Sequence, residues 1–231
     1  MEEAKQEPNY PHKSFEHVIV AVDLVLFTVV EDELKVLLLE LKEAPFSGNW
    51  ALPGGLVKLD ESLDEAARRH LEQKAGVSGV FLEQLYTFGA VNRDPRGRVV
   101  SVAYFALVPN GQIKPHTSDR YNRINWQATK KLPEMAYDHT GIIEVALDRL
   151  RNKLGYTNIV YSLLPAEFTL SDLQKVYEII LDKSLDKRNF RKKILSIGIL
   201  KELAKKTSGR PSRPAALYEF SKKQPEVVGI L

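Results

Sequence analysis

The 231-residue chain contains no cysteine, which excludes a disulfide framework and any metal site built on thiolates. It also lacks a long uncharged apolar run, because residues 18–30 are interrupted by Asp23 and are too few to span a bilayer. Residues 1–14 are polar and acidic, unlike a signal peptide, and we expect them to form a mobile arm. These absences predict a cytoplasmic protein that is not embedded in a membrane.

Charge is distributed unequally along the chain. Residues 1–150 carry 17 Lys and Arg against 22 Asp and Glu, whereas residues 151–231 carry 16 against 8. The net charge of +3 therefore conceals an acidic first part and a basic second part. We expect two domains, at residues 1–150 and 151–231, of which the second meets a polyanion such as nucleic acid.

The apolar pattern of the first part predicts a sheet combined with helices. We expect a helix after the Gly54-Gly55 turn, with Gly76 as its left-handed C-cap, and another from Thr140 to about Leu154. Strands are predicted at residues 18–30, 34–41, 80–90 and 98–108, with a last strand region around Asn125, Trp126, Lys131 and Leu132.

The turn and helix at residues 48–77 carry the main motif. Residues 48–55 read Gly-Asn-Trp-Ala-Leu-Pro-Gly-Gly, and Glu61, Arg69, Leu71 and a Gly76-Val77 pair follow at fixed spacing. This pattern resembles the Nudix box, whose late glutamates hold magnesium against a diphosphate. The resemblance implies an α/β/α sandwich with a mixed sheet.

The three late glutamates of the Nudix pattern are replaced by His70, Gln73 and Lys74. Their i, i+3 and i+4 spacing places them on one face of the helix. Glu72 cannot replace them, because its position lies roughly 200° around the helix from His70. We therefore expect no metal, no cofactor and no hydrolysis; a Nudix hydrolase that uses other residues is the alternative.

The second part has the pattern of a winged helix-turn-helix domain. We expect helices at residues 158–164, after a cap at Ser171, and at residues 187–195 after a cap at Asp186. Phe190 and Ile194 face inward, which leaves the cations of the last helix outside. Strands at residues 200–204 and 216–220 enclose a basic loop and form the wing. A small helical domain with a solvated charged face, a structural adaptor or an RNA-binding module is the alternative.

A degenerate Nudix domain followed by a winged helix resembles, over nearly the whole chain, the Nudix-related transcriptional regulators of the NrtR type. The resemblance implies a homodimer that binds palindromic double-stranded operator DNA and senses a small molecule in its Nudix domain. Some members sense ADP-ribose, and the AraR-type branch, which regulates sugar use, senses L-arabinose. The DNA-binding candidates are Lys187, Arg188, Asn189, Arg191, Lys192, Arg210 and Arg213.

The chemical class of the effector must be inferred from the polar residues near the Nudix helix. Cations such as Lys74 and Arg98 suit a diphosphate, whereas carboxylates, amides and an aromatic face suit the hydroxyls of a neutral sugar. Because the metal ligands are lost, we favour a sugar such as L-arabinose, which would release a repressor from its operator, with ADP-ribose as the alternative. The effector-binding candidates are Asp23, Lys42, Trp50, Gly54, Gly55, Tyr86, Asn92, Arg93, Asp94, Asp138 and His139.

Two of these groups have a second interpretation. The segment Asn92-Arg93-Asp94-Pro95-Arg96-Gly97 contains an Arg-Asp-Pro-Arg stretch similar to one in the NrtR-type regulators, yet a solvated hairpin tip would have the same composition. His139 beside Asp138 also suits an ordinary histidine at a helix start. The sequence leaves both interpretations open.

Overall fold

The computed structural model describes residues 17–109, 111, 121–206 and 214–230. Its first part is organised around a seven-stranded mixed sheet. The strands are Ile19–Val30 (β1), Glu33–Leu41 (β2), Trp50–Ala51 (β3), Gly54–Leu56 (β4), Leu82–Phe88 (β5), Val99–Leu107 (β6) and Tyr121–Ala128 (β7). Their order is β3-β2-β1-β6-β5, with β4 paired to β1 and β7 to β2. The β1–β6 pair is parallel and the other pairs are antiparallel.

Two helices, Leu63–Ala75 (α1) and His139–Tyr156 (α2), cover opposite faces of this sheet. Alternate residues of β1 point to opposite faces, because a strand has a side-chain period of two. Val22, Leu24 and Leu26 join the core that contains Ala66, Ala67 and Leu71 of α1. Val25 and Phe27 join the core that contains Ile142, Ile143 and Ala146 of α2. The predicted α/β/α sandwich with a mixed sheet is confirmed.

The ends of α1 follow from its sequence. The Ser62 side chain accepts a hydrogen bond from the Glu65 backbone, and the Glu65 side chain accepts one from the Ser62 backbone, which forms a capping box. Gly76 ends the helix at φ 64° and ψ 25°, so the predicted left-handed C-cap is confirmed. Hydrogen-bonded caps therefore fix both ends of α1, the helix on which the Nudix glutamates are replaced.

Several predicted boundaries move. The strand at residues 80–90 shortens to β5, since Gly79 occupies a left-handed turn just before it. The last strand ends at Ala128, so Lys131 and Leu132 lie beyond it. Helix α2 includes His139 and continues to Tyr156, where the extended backbone of Thr157 ends it. The predicted domain boundary at residue 150 therefore falls inside a continuous helix.

The second part contains Leu170–Leu181 (α3), Lys187–Ser196 (α4) and the antiparallel pair Leu200–Lys206 (β8) and Ala216–Phe220 (β9). This is the predicted winged helix. The helix expected at residues 158–164 is only a 3₁₀ turn, Ile159–Ser162, because Asn158 is bonded to the backbone of Glu226 and Pro165 follows. Helix α3 is capped by Thr169, which forms a capping box with Asp172, and Ser171 was therefore the wrong cap.

The winged helix packs against the α2 side of the sheet. Apolar residues of α2, α3, α4 and β9 belong to one continuous core. Two ion pairs also join the parts: Lys175 of α3 lies 2.5 Å from Asp32 in the β1–β2 turn, and Lys130 pairs with Asp182 at the end of α3. No helix among the described residues is long and apolar enough to cross a membrane.

Candidate functional site

A cavity of about 820 Å³ lies where β1, β4 and α1 meet the loop that follows β5. Small-molecule sites commonly measure about 300–1,000 Å³, so this one has room for a ligand larger than a single sugar ring. Six of the predicted effector-binding residues line it: Asp23, Gly54, Gly55, Arg93, Asp94 and His139.

The glycines Gly54 and Gly55, predicted as a turn, form strand β4 with Leu56 and make one wall of the cavity. A Cβ atom at Gly54 would lie 2.2 Å from the carbonyl oxygen of Val22, and one at Gly55 would lie 2.5 Å from Cε1 of His70. Both distances are far shorter than a van der Waals contact. The two glycines therefore allow β4 to lie directly between β1 and α1.

Arg93 forms a second wall as the centre of a buried ion-pair network. Its guanidinium donates to both carboxylate oxygens of Asp138, at 3.0 and 2.7 Å, and to Oδ2 of Asp23 at 3.2 Å. The Ser101 hydroxyl donates to the same Asp23 oxygen at 2.6 Å. The positive charge of Arg93 is therefore already balanced by two carboxylates.

His139 also faces Asp23. Its Nδ1 accepts a hydrogen bond from the backbone of Leu52 at 2.9 Å, so in the neutral ring the proton is on Nε2, which lies 3.4 Å from Oδ1 of Asp23. Burial raises the pKa of Asp23, but His139, Ser101 and Arg93 together lower it to about 2. Asp23 is therefore a fixed anion that holds this wall together.

The loop at residues 92–97 joins β5 to β6, but it is not simply a solvated hairpin tip. Arg93 and Asp94 are each 8% exposed, and Asp94 accepts hydrogen bonds from the backbone and guanidinium of Arg96 at 2.8 to 3.0 Å. Arg96 also donates to the Tyr137 hydroxyl at 2.6 Å. The loop is folded into the cavity wall, which corrects one of the two interpretations of this segment.

A cluster of aromatic rings lies in the same cavity, and of its members only His139 was predicted from the sequence. The ring centres of Phe46 and Tyr137 lie 4.5 Å apart at 54°, and those of Tyr137 and His139 lie 5.0 Å apart at 39°. The Arg96 guanidinium lies 5.4 Å from the centre of the Tyr137 ring. These tilted rings add aromatic surface to a cavity whose other walls are charged.

Helix α1 presents His70, Gln73 and Lys74 to the cavity. His70 is buried, with Nε2 3.3 Å from the carbonyl oxygen of Leu56. Burial, with smaller contributions from Lys74 and Arg69, lowers the pKa of His70 to about 4, so the ring is neutral at pH 7. The Lys74 ammonium donates to the carbonyl oxygen of Gly54 and to the Tyr121 hydroxyl, the latter at 2.6 Å. The predicted shared face of the three replacements is confirmed.

The remaining Nudix carboxylate, Glu61, is already bound by groups of the protein itself. It binds the Arg69 guanidinium, with Nε to Oε2 at 2.8 Å, and accepts the backbone N–H of Lys58 at 2.8 Å. The hydrogen bond from Arg69 is the main cause that lowers the pKa of Glu61 to about 2. Glu61 therefore acts as an ion-pair partner of Arg69.

These donors do not fit a Nudix magnesium site. Magnesium prefers several carboxylate oxygens, whereas this face offers a neutral imidazole, an amide and an ammonium group. Among the residues that the structure describes, no group of three or more His, Cys, Asp or Glu is placed to hold a metal ion.

Five predicted effector residues do not line the cavity: Lys42, Trp50, Tyr86, Asn92 and Asp138. Lys42 and Asn92 are exposed, and Trp50 packs against the core on the α2 side. Tyr86 is 61% exposed on β5 and contacts Phe88 instead. Asp138 does not line the cavity itself, but its carboxylate holds the Arg93 guanidinium in the cavity wall. Arg98, also considered for a diphosphate, donates to the carbonyl oxygens of Gly89 and Ala90.

A second candidate surface is the outer face of α4. Phe190 and Ile194 are buried, as predicted, and Asp186 caps the helix by accepting the backbone N–H of Asn189 at 2.8 Å. Arg191 is half-buried and donates to the Ser171 hydroxyl at 3.0 Å, so it faces α3. The exposed candidates are Lys187, Arg188, Asn189 and Lys192. Arg210 and Arg213 lie outside the described residues.

Known protein families match both domains, the one that contains the cavity and the one that contains α4. Residues 19–145 match the model of the NUDIX domain, and residues 160–220 match that of the NrtR DNA-binding winged helix domain. A relative from Acinetobacter baylyi, named ADPR responsive transcriptional repressor NtrR, is 37% identical over 217 residues, which cover 92% of this chain and 86% of that protein.

Two solved structures of Shewanella oneidensis NrtR are similar as well. The structure complexed with a 27mer DNA has a TM-score of 0.76 and 35% identity, covering 87% of this chain and 93% of that chain. The NUDIX domain complexed with ADP ribose has a TM-score of 0.54 and 37% identity, covering 62% of this chain and 94% of that chain. The chain therefore belongs to the NrtR family: it is a transcriptional regulator in which a Nudix domain precedes a DNA-binding winged helix domain.

Proposed function

We propose that this regulator is a repressor that binds its operator as a homodimer, and that ADP-ribose or a closely related nucleotide diphosphate is its effector. The observation that carries the choice of effector is the Lys74 ammonium in the cavity, which forms no ion pair with a carboxylate among the described residues. The Acinetobacter relative is named as ADPR responsive, and the Shewanella NUDIX domain was crystallised with ADP ribose. Both support ADP-ribose over the neutral sugar favoured from the sequence.

The cations of the cavity differ in how far they are already neutralised. Arg93 is paired with Asp23 and Asp138, and Arg96 with Asp94. Arg69 is likewise paired with Glu61. A diphosphate needs a cation whose charge is still available, and Lys74 meets that requirement. The loss of the metal ligands therefore does not remove the electrostatic reason for a diphosphate to bind.

The aromatic cluster of Phe46, Tyr137 and His139 offers contact surface for the base of the nucleotide. The Phe46 and Tyr137 rings are tilted against each other, and the Arg96 guanidinium lies 5.4 Å from the centre of the Tyr137 ring. An aromatic pair in offset or edge-to-face contact contributes about 0.5–1.5 kcal/mol beyond its buried area. A sugar ring can also pack on an aromatic face, but a nucleotide base has the larger planar surface, so the cluster favours a nucleotide.

We propose further that the Nudix domain does not hydrolyse its ligand. The cavity face of α1 lacks the carboxylates that would hold magnesium, and the carboxylates of Asp23, Glu61 and Asp94 are all engaged by cations. Incubation of the full chain with ADP-ribose and magnesium or manganese should release no product. Turnover that rises with metal concentration and is lost in Glu61→Gln would contradict this proposal.

Effector binding is coupled to DNA binding through α2. This helix begins at His139 in the cavity wall and ends at Tyr156, beside the winged helix. A ligand can release DNA only by binding the DNA-free arrangement more tightly, and the shift is limited to that difference in affinity. A small tilt of α2 would change the spacing of the two α4 helices in a dimer, which must match half-sites roughly 34 Å or a multiple apart.

Operator titration tests the proposed function. The operator is first located by footprinting on genomic DNA, and the affinity of the full chain for it is then measured with ADP-ribose, with L-arabinose and without ligand. ADP-ribose should weaken the complex, L-arabinose should not, and sedimentation should show a dimer in all three cases. Release by L-arabinose alone would restore the sugar hypothesis, and ligand-driven dissociation to monomers would contradict the tilt of α2.

A further inference from the structure

We propose that the Lys74 ammonium takes the place of a divalent cation, so that this chain binds its effector without a metal. The inference rests on the proposed nucleotide effector and concerns how the diphosphate is held. Its starting point is the disagreement between the donors on α1 and the metal site that the Nudix pattern implies. Lys74 stands at a position where that pattern has a glutamate.

The geometry leaves one donor of Lys74 available to a ligand. An ammonium group has three N–H donors. One points to the carbonyl oxygen of Gly54 and one to the Tyr121 hydroxyl. Within the described residues the third has no recorded acceptor, and Lys74 lines the cavity. A phosphate oxygen of the effector would complete the set.

Tyr121 fixes the direction in which Lys74 points. It is the first residue of β7, its hydroxyl accepts from Lys74 at 2.6 Å, and its ring centre lies 5.1 Å from Nζ. A flexible lysine side chain loses considerable entropy when it is ordered on binding. Because Gly54 and Tyr121 order Lys74 in the unliganded protein, part of that cost is already met, and Tyr121 is a positioning residue.

A divalent cation would meet the wrong surroundings at this place. It would lie beside a positive charge, and the other two groups on the face, His70 and Gln73, are neutral. The carboxylates of Asp23 and Glu61 lie in the same region but are bound by Arg93 and Arg69. Hard cations need several oxygen anions to offset their loss of hydration, and among the described residues that line the cavity only the Glu43 carboxylate is held by no cation.

Calorimetric titration of the full chain with ADP-ribose, in EDTA and then in excess magnesium or manganese, tests the inference directly. The dissociation constant should be the same under all three conditions. Binding that is lost in EDTA and restored by magnesium would overturn the inference and leave the nucleotide effector in place. Failure to bind under any condition would overturn the proposed effector and this inference with it.

Variants of α1 supply a matched comparison. Lys74→Gln removes a charge-assisted hydrogen bond and should weaken ADP-ribose binding about 10- to 100-fold in EDTA. Glu72→Gln changes one charge on the same helix, at an exposed residue outside the cavity lining, and should leave binding unchanged. Equal affinities for these two variants, with equal thermal unfolding, would overturn the role of Lys74.

The double variant Gln73→Glu/Lys74→Glu tests the same idea in reverse. Gln73 is exposed and Lys74 is half-buried, so both carboxylates can reach solvent and the fold should tolerate them. Manganese alone, titrated by calorimetry, should bind the variant and not the wild-type chain. Tight manganese binding by the wild-type chain that is abolished by an aspartate or glutamate change in the cavity would overturn the inference.

Discussion

The helices α1 and α4 both carry cations on an accessible face, but these cations are held in different ways. On α1, Arg69 is paired with Glu61 and Lys74 is held by Gly54 and Tyr121. On α4, Lys187, Arg188 and Lys192 are exposed and form no recorded ion pair within the described part of the chain. The side chains of the first group are held in place, as the proposed binding of one compact anion requires, whereas those of the second remain free to adapt to DNA.

This difference has thermodynamic consequences. Charges that are held by partners contribute to stability, because removing one leaves its buried partner unpaired. Exposed cations contribute little to stability, and they act mainly on binding, when they displace the counterions condensed on DNA phosphates. Substitutions in the cavity should therefore change stability first, and substitutions on α4 should change DNA affinity first.

Replacement of Arg93 should cause the largest loss of stability, because this residue is the centre of the buried ion-pair network. Arg93→Met leaves Asp23 and Asp138 without their shared cation, and breaking a buried pair in this way costs about 3–5 kcal/mol of unfolding free energy. Urea unfolding measures the loss. Lys192→Ala, the matched change on α4, should alter stability by less than about 0.5 kcal/mol. Equal losses in the two variants would contradict the comparison.

Acid should weaken the α1 side through His70. Its pKa falls from 6.5 to about 4 on folding, so between these values the unfolded chain binds more protons than the folded one, and stability decreases as the pH falls. The pKa of Asp23 is lowered from 3.8 to about 2 and that of Glu61 from 4.5 to about 2, so their contribution is lost mainly below pH 4.5, at the acidic end of this range and beyond it. The free energy of unfolding should therefore fall by about 1–3 kcal/mol between pH 6.5 and pH 4, as thermal unfolding at each pH can measure.

The control for this pH dependence is His70→Gln, because a glutamine side chain at position 70 does not titrate in that range. The variant should lose much less stability over the same interval than the wild-type chain. An unchanged pH profile in His70→Gln would show that other groups produce the effect.

On α4 the two kinds of exposed side chain should separate specificity from general affinity. Arg188→Ala and Asn189→Ala remove groups that can make bidentate contacts with base edges, and each should cost about 1–3 kcal/mol at a preferred site. Lys192→Ala should weaken all sequences alike and lower the slope of log K against log salt by about 0.9. Operator and random DNA titrations over a salt series distinguish the two outcomes. An unchanged salt slope in Lys192→Ala would contradict a phosphate contact.

The elements that depend on local sequence were predictable. The Gly76 cap, the Asp186 cap and the inward Phe190 and Ile194 follow from rules that concern neighbouring residues, and the structure confirms them. The Thr169 cap was missed although its capping box with Asp172 is also local. A Thr-x-x-Asp pattern before the apolar stripe was the available signal.

The cavity was harder to predict because it is assembled from distant segments. Phe46, Tyr121 and Tyr137 come from three separate parts of the chain and meet only after the sheet has formed. Tyr86 was chosen instead, yet the register of β5 leaves it 61% exposed. Composition cannot distinguish these tyrosines, since strand pairing decides the faces of Tyr86 and Tyr121 and the turn before α2 places Tyr137. Lys74 could be predicted as a cavity residue because the Nudix spacing assigns its face directly.

The smallest effect should come from beneath α4, where the buried Phe190 and Ile194 pack against the core. Tyr177 of α3 lies 5.3 Å from the Phe190 ring, and its hydroxyl is buried without a recorded hydrogen-bond partner. Burial raises the pKa of this phenol, so it stays neutral. Removing an unsatisfied hydroxyl relieves part of its desolvation cost, and Tyr177→Phe should stabilise the chain by about 1 kcal/mol. Urea unfolding measures the gain, and operator affinity should not change, because the exposed cations of α4 keep their positions. A loss of stability would mean that the hydroxyl has a partner, and α4 would then depend on a polar contact as α1 does.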